Sequence, residues 1–185
     1  MEHFYQNIHG WFSYEYIYKD MVEQAEDGCV FVEIGSFKGR SSAYMAVEIA
    51  NSGKKIQFDC VDPMQLMSHY AKSAEEKPEE FAGYSEEEFH ARMQPVKDYY
   101  SLKAMTSDEA VKLYEDESID FLMIDADHTY EAVKRDIELW LPKMRSGGLI
   151  AGDDAYTDEI SRAVYDAASH LNPVIQGIHF FIPIP

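Results

Sequence analysis

Apolar residues recur along this chain with two alternating periods. From Tyr14 to Ala25 they fall four apart, at Ile17, Met21 and Ala25, which predicts a helix stopped by Gly28. Cys29 to Ile34 is a continuous β-prone run closed by Gly35; after Gly39, the stretch Ser41 to Ala50 sets Ala43, Ala46, Val47 and Ala50 on one side. A second strand, Ile56 to Val61, is ended by Asp62 and Pro63. The unit is strand, helix, strand, so its strands run parallel. From Met64 to Tyr100 the pattern loosens, and Glu75 to His90 carries seven Glu and one Lys. This reads as an excursion whose charged helix faces water, with a lid over a site as the alternative.

Alternation then returns. Tyr99–Met105, Ile119–Ile124 and Leu149–Ala151 read as strands, the last admitted by Gly147 and Gly148. Between them Ser107 is placed to cap a helix from Asp108 to Tyr114, and Tyr130 to Leu141 carries Val133, Ile137, Trp140 and Leu141 on one face. A helix from Thr157 or Asp158 turns Ile160, Val164, Ala167 and Leu171 inward, and Pro173 to Pro185 fits a closing hairpin turned at Gly177. The expectation is one α/β domain over residues 1–185, with parallel strands ordered 3, 2, 1, 4, 5 and the hairpin beside them.

Charge narrows the partners. The chain of 185 residues has 34 acidic and 16 basic side chains, a formal charge of −18, with no local basic stripe. A phosphate backbone or an anionic membrane is therefore a poor partner. No apolar run approaches the roughly 20 residues of a spanning helix, and Met1, Glu2, His3 does not read as a signal peptide. Cys29 and Cys60 read as small buried hydrophobes, and their reduced state fits a cytoplasmic protein. A small molecule is the expected partner. The N-terminal aromatics Phe4, Tyr5, Trp11, Phe12, Tyr14, Tyr16 and Tyr18 read mainly as packing, with an acceptor pocket or a homo-oligomer contact as alternatives.

Candidate chemistry gathers where strands end, the place at which open parallel sheets bind ligands. Glu33, Gly35 and Gly39 form ExGxxxG. This is not the GxGxxG of a dinucleotide site, and the acid suits a cationic ligand. Asp62 is placed to accept from both hydroxyls of a ribose, of whichever nucleoside. Each acid has a plainer reading as a turn cap. Asp125 and, one strand over, Asp153 and Asp154 bring carboxylates together that repel unless a hard divalent ion such as Mg²⁺ joins them, or unless they cap the helices that follow. His128, just past Asp125, is placed to lean over such an ion as a general base, with helix capping as the plainer role. His69 and His90 read as surface histidines.

The segments FVEIGSFKGRSS, FDCVDP and FLMIDADHTYEAVKRDIELWLPKMRSGGLIAGDDAY resemble class I methyltransferases that use S-adenosylmethionine. They are most similar to the small branch with macrocin-type O-methyltransferases and proteins named after cephalosporin hydroxylase. The resemblance covers roughly Gly28 to Tyr156. It implies a Rossmann-like seven-stranded sheet in the order 3-2-1-4-5-7-6 with strand 7 antiparallel. It also implies S-adenosylmethionine held by Glu33, Gly35, Ser36, Gly39, Asp62, Ser107 and Asp125, with Ser107 near the adenine. Asp125, Asp153 and Asp154 would hold Mg²⁺, and His128 would be the base. The implied reaction is O-methylation of a small hydroxylated acceptor, a sugar or vicinal diol; hydroxylase-type chemistry or nucleoside binding without catalysis are the alternatives.

Overall fold

The computed structural model describes residues 1–66 and 71–185. Seven strands form one sheet: β1 (Val30–Ile34), β2 (Gln57–Val61), β3 (Ser101–Lys103), β4 (Ile119–Ile124), β5 (Met144–Gly152), β6 (Val174–Gln176) and β7 (His179–Pro183). Their order is β3-β2-β1-β4-β5-β7-β6, parallel except where β7 pairs antiparallel with β5 and β6. This is the expected arrangement, with β4 and β5 adjacent.

Helices cover both faces. On one side α1 (Glu15–Gln24) and α2 (Arg40–Ser52) pack with Phe31, Phe58 and Phe121. On the other, α7 (Tyr130–Trp140) and α8 (Asp158–Ala168) pack over Ile34, Leu122 and Ile150. Because both faces are covered, the central strands are mostly apolar, and it is their ends that carry polar side chains to a surface. Among the described residues the excursion holds α3 (Ala71–Glu76), α4 (Pro78–Phe81) and α5 (Glu86–Met93), each a short helix. Helix α5 buries Phe89 and Met93 and leaves its three leading glutamates in water, as the charged-face reading expects.

Three local expectations are corrected. The helix after β3 is α6 (Ser107–Ala110), continued by a 3₁₀ turn, and its cap is Thr106, not Ser107. The Thr106 hydroxyl and backbone N–H both donate to the Glu109 carboxylate in a capping box, which Ser107, followed three residues later by Ala110, has no partner to form. β5 begins at Met144 and runs through Gly147 and Gly148, absorbing the extra residues in a register shift opposite Ile119 and Phe121. β3 stops at Lys103, two residues before Met105. Among the described residues no helix is long and apolar enough to cross a membrane, and both cysteines are free.

Candidate functional site

The ends of β1, β2, β4 and β5 form one polar edge. Leaving β1, the chain turns at Gly35, whose φ is +93° and whose absent Cβ would lie 1.9 Å from the Asp125 carbonyl oxygen. Any side chain there would part the β1 turn from the end of β4. Gly39 (φ +90°) begins α2 with Phe89 and Met93 against it, so its hydrogen is what lets α5 pack on the turn.

Glu33 is fully buried beneath the turn, where its two oxygens accept from Tyr18 Oη and Ser42 Oγ, each at 2.6 Å. Burial pushes its carboxyl up to about 7, although both hydroxyls favour the anion. It braces α1, β1 and α2 from within, beneath the glycine turn. Ser36, also buried, sets its hydroxyl beside Glu33 and Cys60, where it favours their anionic forms.

Asp62, 5% exposed, receives Phe37 N–H on Oδ2 and Met64 N–H on Oδ1, both at 2.8 Å, and the Tyr84 hydroxyl on Oδ1. Burial raises its pKa against these three bonds. Ser107 donates to Asp136 Oδ1 and accepts from Trp140 Nε1, both at 2.8 Å, so its hydroxyl ties α6 to α7.

At the ends of β4 and β5 the carboxylates do come together. Asp125 Oδ2 accepts from the buried Tyr14 hydroxyl at 2.6 Å, and its Oδ1 lies 3.3 Å from His128 Nε2. His128 Nδ1 meets Asp154 Oδ2 in close contact. Burial disfavours the imidazolium, but the bond to Asp125 and the charges of Asp125, Asp154 and Asp153 outweigh it and raise the His128 pKa. Asp153 pairs with His179 Nε2 at 3.3 Å; burial and the Asp125 charge hold its carboxyl above the usual range. Among the described residues no three ligand-type side chains are arranged to hold a metal ion. His90 is exposed on α5, bonded to Tyr100 at 2.8 Å; His69 lies outside the described residues.

Beside the β5 and β7 ends, His179 and Ser13 were missed by sequence reasoning. His179 on β7 contacts Ser13 Oγ at 3.2 Å through Nε2 and Tyr16 Oη at 2.9 Å through Nδ1, so the segment before α1 is fastened over the β5 and β7 ends. No local pattern links residues so far apart in the chain. Of the N-terminal aromatics, Tyr14 and Tyr18 are fully buried, whereas Trp11 is 67% exposed beside Phe37.

A family described as a methyltransferase domain matches residues 32–155. The chain is 30% identical over 106 residues, 55% of its length, to an uncharacterized protein, y4gI, of Sinorhizobium fredii, and it spans 12% of that protein's length. Among solved structures, cofactor-bound Rv0187 from MTB superposes with a TM-score of 0.65 at 15% identity, covering 96% of this chain and 83% of that one. An O-methyltransferase from Bacillus cereus, in complex with SAH, gives 0.58 at 14% identity over 97% and 86%. At these identities the likeness is one of fold.

Proposed function

The chain belongs to the methyltransferase domain family that matches two-thirds of its length, and on that premise we propose that it methylates a hydroxyl oxygen of a small acceptor, a sugar or vicinal diol, using S-adenosylmethionine. The observation that carries this reading is the pairing, along one sheet edge, of a nearly buried carboxylate, Asp62, with an Asp154-held histidine, His128. When bound, S-adenosylmethionine supplies an electrophilic methyl group on a sulfonium.

In this account Asp62 accepts from the ribose hydroxyls, and Ser36 with the Gly35–Gly39 turn receives the amino acid end. Glu33 supports that turn from below. Asp154 fixes the His128 ring through Nδ1–H. The looser contact, Nε2 to Asp125, gives way to the acceptor hydroxyl once Nε2 has released its own proton to solvent, and the neutral ring then takes the hydroxyl's proton on Nε2. Asp125, steadied by Tyr14, then faces the imidazolium and lowers its energy.

The surplus of carboxylates favours a second reading, a divalent cation shared by Asp125, Asp153 and Asp154. Their hard oxygens suit Mg²⁺. As they stand, however, Asp125 and Asp154 meet on the His128 ring and Asp153 on His179, so imidazoles answer the charge a cation would. The test is transfer of labelled methyl from S-adenosylmethionine to a panel of sugars and diols. Transfer to oxygen supports the proposal; cofactor binding with no transfer to any hydroxylated acceptor overturns it.

A further inference from the structure

Asp62 is held by two kinds of donor. Phe37 and Met64, whose amides grip it, both have left-handed backbones, φ 47° and 52°, so the local chain is bent to aim those N–H groups at the carboxylate. The third donor is different. Tyr84 lies 22 residues away, in the short turn between α4 and α5, flanked by exposed Ala82 and Gly83. Its ring packs on Phe37, centroids 5.1 Å apart at 44°, and the turn is tied to α5 by Arg92, which donates to the Gly83 carbonyl at 2.9 Å.

A carboxylate oxygen has about two good acceptor directions. On Oδ1 both are used, by Met64 N–H and Tyr84 Oη, whereas among the described residues Oδ2 carries only Phe37 N–H. A ribose offers two adjacent hydroxyls. One of them finds an open position on Oδ2; the other reaches Oδ1 only when the phenol leaves. With Asp62 5% exposed, the turn between α4 and α5 that carries Tyr84 must also move aside to admit the sugar.

We propose that Tyr84 is a latch on this site: its hydroxyl holds the place on Asp62 that a ribose hydroxyl takes, and nucleoside binding exchanges one for the other. The proposal rests on the reading of Asp62 as the ribose acceptor. It makes the turn between α4 and α5 an opposing partner of the cofactor, whose apparent affinity is reduced by the fraction of molecules that are latched.

Tyr84→Phe keeps the ring on Phe37 and removes only the competing hydroxyl. Calorimetric titration of S-adenosylhomocysteine into the full chain is expected to show the variant binding tighter than the unmodified protein by about 10-fold or more, the scale of one hydrogen bond to a charged acceptor given up. A thermal melt of both proteins verifies that the variant is folded. Binding to both with equal affinity, or weaker binding to the variant, overturns the latch alone. Binding to neither folded protein overturns the nucleoside reading of Asp62 and the latch with it.

Discussion

Glu33→Gln separates a brace from a ligand contact. In the folded chain the Glu33 carboxyl titrates at about 7, because burial disfavours its anion more than Tyr18 and Ser42 stabilise it; its ordinary value is 4.5. A folded-state pKa above the unfolded one means the native state binds the extra proton, so stability is greatest below pH 4.5 and falls as pH rises toward 7. At about 1.4 kcal/mol per pH unit, the gap between 4.5 and about 7 amounts to about 3 kcal/mol of lost stability above pH 8. Gln keeps the shape and has no proton to lose. Urea unfolding of both proteins, compared at about pH 5 and pH 8.5, is expected to shift their stability difference by about 2 to 3 kcal/mol in favour of Gln at the higher pH. Affinity for S-adenosylhomocysteine stays within about threefold, since the carboxylate faces Tyr18 and Ser42. A difference that does not move with pH, or cofactor affinity lost with the charge, would refute this reasoning.

Gly35→Ala is expected to cost more than about 3 kcal/mol in urea unfolding, since a Cβ there meets the Asp125 carbonyl at 1.9 Å with φ at +93°; a loss under about 1 kcal/mol would mean that the turn yields. His128→Ala should lower turnover by about 10² or more while S-adenosylhomocysteine affinity holds. Near-normal turnover in stopped-time assays of labelled methyl transfer would make His128 structural. Chelation with excess EDTA should leave turnover within about twofold if imidazole alone activates the hydroxyl. A tenfold or greater loss restored by Mg²⁺ would establish the cation reading instead.

The sheet was legible because its central strands are covered on both faces and so appear as mostly apolar runs, each closed by a glycine or an aspartate. The same covering hid the direction of Glu33. Strand parity says which face a side chain takes, and when both faces are buried that does not distinguish the cleft from the core. Ser107 and Thr106 are neighbouring hydroxyls, and the Glu three residues after Thr106 was the readable sign of the true cap. Gly147 and Gly148 read as a break because glycine weakens a strand, but the pairing of Met144 with Ile119 extends β5 beyond them. His179, Ser13 and Tyr16 meet only through the hairpin's return beside β5, a contact fixed by tertiary packing. The Tyr84 contact on Asp62 was equally illegible, although the alternative of a lid over the site had marked its segment.

The account turns on Asp62 as the seat of a ribose, and Asp62→Ala tests it most directly. Titration calorimetry of S-adenosylhomocysteine should show one site per chain in the unmodified protein and a loss of about 1 to 3 kcal/mol, roughly 5- to 150-fold, in the variant, because charge-assisted hydrogen bonds to the sugar are removed. Equal affinity in both proteins, or binding of a nicotinamide dinucleotide in place of the adenosyl ligand, would contradict it.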